Sequence, residues 1–421
     1  MSKKVQVVVL SSSMLIIVFA LIGGLGVHAA SDNNSANSPD NAYTHMEVYS
    51  EVLHRIRTEY VEEPNMHKVT DGALHGLLES LDANSSYLSP DEYKRYQELN
   101  QNGKAGIGAT VSKRFGYAAV VSVIPNGPAD KAGIGEGDIL ETIDGVSTHD
   151  LSLAAIRAKL HGDQGSRLEA TIIRTRKIEP QKITIVREVV TPPAISGQLM
   201  GDVGYIKALT LDKGKAQDIA GQIKSLEAKG AKKLVLDLRD DSQGDEAEGV
   251  AVANLFIGNG QIASLKGQKY TPQTFNADPS KKITDEPLAV LVNRGTAGPA
   301  EIVAGAVIDD GRGDLVGSKT FGDGSVQKTL PMEDGAALIL SVAKYYTPKG
   351  AIIQDNGITP NVKVASSDEL AFIPDDDDGG AAATTPDQQQ QKETKPKEDD
   401  QLKKAIDVLK AKTRVVDDRA K

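Results

Sequence analysis

Two changes in the periodicity of the apolar residues divide this 421-residue chain into stretches that cannot share one kind of secondary structure. Up to residue 98 the apolar positions recur at the 3.6-residue period of a helix. Met46, Tyr49, Val52, Leu53, Ile56 and Tyr60 form one series, and Val69, Ala73, Leu74, Leu77, Leu78 and Leu81 form a second. Ser89, followed by Pro90, Asp91 and Glu92, reads as an N-cap with proline at the first helical position. We read residues 46–98 as a helical packing collar. From about Gly103 the apolar runs shorten to 108–112, 118–124, 138–143, 168–174 and 181–187. Turn signals at Pro125-Asn126-Gly127-Pro128 and Asp144-Gly145 break them, and one helix over 151–160, capped by Asp150, sits among them. That pattern describes a β-rich module over residues 99–190. Beyond Thr191-Pro192-Pro193 the texture changes again. Strands over 204–208, 233–238 and 288–292 alternate with helices over 213–229, 246–256 and 299–309. Such alternation demands crossover connections and a mostly parallel sheet, here within residues 191–364.

The two ends follow different rules. Lys3 and Lys4 precede an apolar run over 5–27, then His28-Ala29-Ala30-Ser31 and a polar linker over 31–45. This is the layout of a secretory signal, and about 20 apolar residues also suffice for a membrane anchor. Residues 1–30 are therefore expected to export the chain, leaving it membrane-anchored or periplasmic. At the other end, the Asp375–Asp378 run and the Gln388–Gln391 tract mark residues 365–400 as a solvated linker. Leu402, Ala405, Ile406 and Leu409 then give an amphipathic helix within 401–421.

Composition narrows the chemistry. The chain contains no cysteine, which removes thiol catalysis, disulfides and thiolate metal sites together. No histidine lies beyond His161, so the α/β stretch holds neither a Ser-His-Asp triad nor a histidine-built zinc site of its own. A formal charge of −10 and an aromatic content of 4% argue against a nucleic-acid partner.

Three groups of residues carry a family resemblance. Gly106-Ile107-Gly108-Ala109, then 127–134 (Gly-Pro-Ala-Asp-Lys-Ala-Gly-Ile), Gly137-Asp138-Ile139-Leu140 and Ile143-Asp144-Gly145, resemble a PDZ domain. Val235-Leu236-Asp237-Leu238-Arg239 and the run 290–297 resemble core strands of the C-terminal processing, or tail-specific, serine proteases. Phe321-Gly322-Asp323-Gly324-Ser325-Val326-Gln327 and Gly357-Ile358-Thr359-Pro360 are similar to further stretches of the same family. The resemblance implies an α+β multidomain fold: helical collar, barrel-like PDZ module and an α/β core of the crotonase/Clp-like kind. It also implies a Ser-Lys dyad, in which a neutral lysine takes the serine proton and backbone N–H groups hold the oxyanion.

At the positions that match the dyad, this chain departs from the family. The nucleophile position falls on Gly298 within Thr296-Ala297-Gly298-Pro299-Ala300-Glu301-Ile302, and the base position falls on Asp323. The supporting Gln327 is retained. The oxyanion turn reads Asp240-Asp241-Ser242-Gln243-Gly244 where the family has an Asn-Pro-Gly-Gly-like run, so Gln243 and Gly244 occupy altered ground. Glycine has no nucleophilic atom, and an aspartate with a pKa of about 3.9 is a poor base for a serine hydroxyl. Each replacement also has a local reading, since glycine before Pro299 suits a helix start and aspartate between glycines suits a turn. The expectation is a proteolytically inactive member that binds peptides as a scaffold or regulator. The alternative is an active endopeptidase that trims C-termini with an atypical site. Hydroxyls at Thr296 and Ser325 and amines at Lys319 and Lys328 are the residues available for a relocated dyad.

Three carboxylates, Asp240, Asp241 and Asp323, would suit a hard cation, but aspartates are common in turns for other reasons, and no metal or other cofactor is expected. In the PDZ module the loop Gly106–Ala109 is expected to offer backbone N–H groups to a terminal carboxylate. Ile107, Val111, Ile156 and Leu160 would line the pocket for the last side chain while the peptide adds a strand. Expected partners are protein C-termini, an active relative, a second copy of the chain, and the membrane through residues 1–30.

Overall fold

The computed structural model describes residues 42–102, 105–174, 177–365 and 399–419. Residues 1–30, expected to direct export, and nearly all of residues 365–400, expected to be a linker, lie outside the described residues. No helix among the described residues is long and apolar enough to cross a membrane.

The chain divides into two units at Thr70. In the first, helix α1 spans Ala42–Glu59 and the first turn of α2 (Met66–Glu79) follows. Met46, Tyr49, Val52 and Tyr60 are exposed, and only Leu53 and Ile56 of that series are half-buried.

The second unit begins inside α2, whose Leu78 is buried with Tyr87 and Ala336. Strand β1 (Ser86–Leu88) and helix α3 (Pro90–Asn102) follow. At the start of α3 the Glu92 carboxylate accepts from both the backbone N–H and the hydroxyl of Ser89, which is the glutamate half of a capping box. The β-rich module contains β2 (Ala109–Arg114), β3 (Tyr117–Val123), the short helix α4 (Pro128–Lys131), β4 (Ile139–Ile143) and β5 (Val146–Ser147). Helix α5 (Leu153–Leu160), β6 (Arg167–Arg174) and β7 (Lys177–Val186) complete it. Its sheet runs β2-β3-β4-β6-β7, with β2 at the edge. Helix α5 starts two residues later than expected. Residues 148–150 form a 3-10 turn, and the Ser152 hydroxyl, not Asp150, accepts from the Ala155 N–H.

The α/β core is built on β8 (Ser196–Met200), β9 (Val203–Lys207), β10 (Lys233–Asp237), β13 (Leu288–Val292), β14 (Gly313–Gly317) and β17 (Val362–Lys363). Their order is β17-β14-β13-β10-β9-β8, parallel except for β8. Every residue of β10 and β13 is buried, which is why β13 and the centre of β10, Leu234 to Leu236, read as unbroken apolar runs and not as alternation. Helices α6 (Lys215–Ala228), α7 (Glu246–Asn254) and α8 (Pro299–Asp309) share one hydrophobic core with this sheet. A separate cluster joins Val203, Val235, Ala289, Leu291 and Val316 to Ala405 and Leu409 of α9 (Asp400–Arg419), which covers the opposite face. Arg239, just past β10, ties α9 in place. Its guanidinium reaches buried Asp237 and, at 2.7 Å, Asp399, and it meets Gln401 at 3.1 Å. A second sheet, β1-β16-β11-β12 with β15 on β16, consists of β11 (Gln261–Gly267), β12 (Tyr270–Asn276), β15 (Ser325–Pro331) and β16 (Ala337–Tyr346) beside β1. These hairpins carry little alternation in sequence, and the sequence reading has no strand over 261–276.

Candidate functional site

In an open parallel sheet the crevice for ligands lies beyond the carboxyl ends of neighbouring strands. Strands β14, β13 and β10 lie side by side, and the segments that leave them carry the positions singled out above. After β13 comes the turn into α8 with Gly298, after β14 the loop with Asp323, and after β10 the turn 240–244.

Gly298 is the N-cap of α8 with φ 59° and ψ −123°, a conformation that side-chain-bearing residues adopt only under strain. A Cβ built there would meet nothing within 4 Å. The backbone therefore keeps the sharp strand-to-helix elbow that elsewhere presents a nucleophile, with open space where a side chain would project.

Glu301, three residues on and fully buried, holds this elbow to the neighbouring loop. Its Oε2 accepts from the Gly298 N–H at 3.1 Å and the Asp323 N–H at 2.8 Å. Its Oε1 accepts from the Gly322 N–H at 2.8 Å and from the Thr320 hydroxyl. The nucleophile and base positions thus lie on either side of one oxygen atom. Burial pushes Glu301 up to about 8, with Asp323 adding to the rise and the donors from Thr320, Asp323 and Gly322 opposing it. Asp323 itself receives the Asn84 side-chain amide at 3.2 Å. Burial, then Asp323 and Asp245, also raise Glu246.

The turn 240–244 is wedged in place. Asp240 has φ 66° and exchanges hydrogen bonds with Asn293 at 3.0 and 2.8 Å. Asp241 accepts the Ala297 N–H on its backbone carbonyl, while its side chain is fully buried and neither carboxyl oxygen has a hydrogen-bond partner. Burial and, secondarily, Asp212 push the Asp241 carboxyl well above the carboxylate range. The backbone N–H of Gln243 favours the charged form of that carboxyl, but burial outweighs it. An unpaired buried carboxyl is tolerable only as the neutral acid. Asp240, Asp241 and Asp323 do not converge on a common point, and no metal-ligating cluster occurs among the described residues.

The residues available for a relocated dyad are placed as follows. The Thr296 hydroxyl is buried, donates to the Leu238 carbonyl at 2.8 Å and accepts from the Asn293 N–H at 3.0 Å. The Ser325 hydroxyl accepts from Asn84 at 3.0 Å and from Gln327 at 2.7 Å. Lys319 and Lys328 are exposed.

The second candidate region is a cavity of about 320 Å³ beside the free edge of β2. Gly106, Ile107, Gly108, Ala109, Val111 and Leu160 are among the residues that line it. Two corrections apply. The Gly106 N–H already donates to the Glu188 carbonyl at 2.9 Å, so it is not one of the amides offered to a ligand. Ile156 is completely buried in the core of the module and forms no wall. Gly108 has φ 72°, and the N–H groups of Ile107 and Gly108 meet no acceptor among the described residues. Sequence reasoning missed Arg157, His161, Val190, Pro192 and Gln243 in this lining. Gln243 comes from the altered turn of the core, and its amide donates to the Thr110 hydroxyl of β2 at 2.8 Å. Ser242 meets the same hydroxyl at 2.8 Å and pairs with Ser122 of β3. The groove and the elbow region are therefore joined by direct hydrogen bonds.

Comparison with known proteins accords with this arrangement. Residues 202–364 match peptidase family S41, and residues 120–174 match the PDZ domain. A carboxy-terminal-processing protease of Bartonella bacilliformis is 33% identical over 335 residues, spanning 78% of this chain and 77% of its own. This chain belongs to peptidase family S41. The carboxy-terminal processing protease CtpA of Bacillus subtilis, 30% identical over 337 residues, covers 79% of the chain and 71% of its own length. The solved structure of a photosystem II D1 C-terminal processing protease superposes with a TM-score of 0.63 at 25% identity, over 76% of this chain and 93% of that one.

Within the S41 frame, Glu301 is the residue that sequence reasoning left without a role. Its spacing three residues after an N-cap was the available signal, because a glutamate there reaches back to the cap N–H. Its second attachment, to Thr320, Gly322 and Asp323, comes from a segment distant in sequence and had no local sign.

Proposed function

We propose that this protein is an exported S41 member that no longer cleaves peptides and acts as a PDZ-bearing scaffold or regulator of other proteins' C-termini. The observation that carries this reading is the elbow at Gly298. It keeps its shape and its link through Glu301 to the loop of Asp323, yet neither position bears the group that Ser-Lys chemistry uses. The endopeptidase alternative needs a new nucleophile with its own base. Thr296 is already engaged on both sides, and Ser325 receives two donors with no lysine among its hydrogen-bond partners.

The PDZ module supplies the binding function. Peptide addition to the β2 edge would bring a chain terminus to the Ile107 and Gly108 amides. A peptide with a free C-terminus should bind the full-length protein roughly ten- to hundredfold more tightly than its C-terminal amide, because a charge-assisted hydrogen bond contributes about 1.5–3 kcal/mol. Equal affinities by fluorescence anisotropy would reject carboxylate capture. The Lys3-Lys4 start and the apolar run over 5–27 support export. Cell fractionation should place the protein in the membrane or periplasmic fraction; recovery from the cytoplasm with residues 1–30 intact would reject it. An active relative or a second copy of the chain fits the same scaffold role.

A further inference from the structure

The cavity beside β2 carries a positive group that its surroundings leave unneutralised. Arg157 projects from α5 into the groove, where one guanidinium nitrogen donates to the Val111 carbonyl at 3.3 Å. It forms no ion pair among the described residues. Val111 lies on the free edge of β2, so the atom that now occupies Arg157 is one an added strand would claim. His161, one turn further along, packs its ring where a side chain at Gly106 would have to go, with a Cβ there only 3.0 Å from its Cδ2. Its Nδ1 is 2.8 Å from the Arg157 carbonyl. Leu160, between these two, supplies the apolar wall.

The register of an incoming peptide follows from these positions. A terminal carboxylate at the Ile107 and Gly108 amides sets the last residue level with Ala109. Successive residues of a strand point to opposite faces, so the last and the third from last share the side facing α5. An antiparallel peptide brings the third from last level with Val111, and hence to Arg157. Pairing of its backbone with Val111 displaces the guanidinium from the carbonyl and frees it for a new partner.

We propose that Arg157 makes this groove selective for chain ends with a glutamate or aspartate at the third residue from the terminus and an apolar last residue. The inference rests on the peptide-binding reading above and goes beyond it by naming the sequence class. Arginine suits the task because its planar, permanently charged donors match a carboxylate in two-point contact.

The test uses full-length protein and fluorescein-labelled Gly-Ser-Gly-Glu-Ala-Leu with a free C-terminus. Versions with glutamine or lysine in place of the glutamate, and the C-terminal amide of the parent, complete the set. The glutamate peptide should bind about fivefold more tightly than the glutamine one at low salt, and the advantage should shrink as salt is added. The lysine version should be weakest. Arg157→Gln should bring the glutamate peptide down to the level of the glutamine peptide, and Arg157→Lys should keep part of the preference. Thermal melts establish that each variant is folded. Equal binding of the glutamate and glutamine peptides, or a preference that survives in Arg157→Gln, overturns the inference while leaving carboxylate capture intact. Loss of discrimination between acid and amide, or no binding by any of the four, overturns both.

Discussion

Glu301→Gln should destabilise this protein by about 3 kcal/mol, seen as a lower urea midpoint at unchanged slope. The carboxyl takes four donors, two on each oxygen, inside a fully buried pocket. The protonated acid carries one hydrogen, which the Thr320 hydroxyl oxygen can accept, whereas an amide nitrogen there presents a second hydrogen to the Gly322 N–H, and an orphaned buried donor costs about 1–3 kcal/mol. The native residue also makes stability depend on pH in an unusual direction. Burial raises Glu301 from 4.5 to about 8, so the folded state holds its proton more tightly than the unfolded chain does. Above the unfolded value the fold must keep a proton that the unfolded chain has released. Stability is therefore highest below about pH 4.5 in this respect and falls until the folded group itself ionises near 8. One proton gives a slope of about 1.4 kcal/mol per pH unit while that window lasts. Asp241 and Glu246 are shifted the same way and steepen it. The carboxyls held low, such as Glu92 and Asp399, act in the opposite sense only at more acid pH. Melting temperature should thus fall between pH 5.5 and 8, and Glu301→Gln should flatten the slope. A flat wild-type profile, or an unshifted midpoint in the variant, would refute this role for Glu301.

The second expectation concerns chemistry. Gly298→Ser alone should leave peptides uncut, because the hydroxyl has no base. Asp323→Lys alone should do the same, because nothing can attack. The double substitution should yield slow but measurable proteolysis. The elbow already has the required backbone at 298 and open space for a side chain, and Glu301 keeps the two positions together. Three features hold the rate down. Serine at φ 59° carries strain of about 1–3 kcal/mol, and Glu246 and Glu301 would favour the charged form of a new lysine. The turn 240–244 lacks the usual oxyanion arrangement, and one missing donor costs about 10²–10³ in rate. Activity in either single variant equal to that of the double would show that the missing groups are not what silences the site.

The legibility of this fold in its sequence follows the range of the forces involved. Strand β13 and the centre of β10 announce themselves because burial on both faces makes them apolar at successive positions. The α8 start is visible in Gly298, Pro299 and Glu301 because capping is local. The Ser152 cap was misread as Asp150 because both residue types accept N–H groups, and a 3-10 turn intervenes. Ile156 and Leu160 lie one turn apart, yet only Leu160 reaches the groove, while the helix shows Arg157 and His161 on that side. The helix's rotation is set by packing against the sheet, which no local pattern states. Asp241 looked like a surface turn residue. Its burial arises because Leu211 and Ala297 bond the turn from outside the local sequence.

On the reading proposed above, the S41 scaffold folds and does not cleave. The most direct test of that reading is incubation of the purified full-length protein with unfolded casein for hours at neutral and mildly alkaline pH, after a cooperative unfolding transition has shown that it is folded. We expect casein to remain uncut, with no product above a no-protein control. Efficient cleavage, abolished by Ser325→Ala or Thr296→Ala, would contradict the claim and place a working nucleophile at the substituted residue.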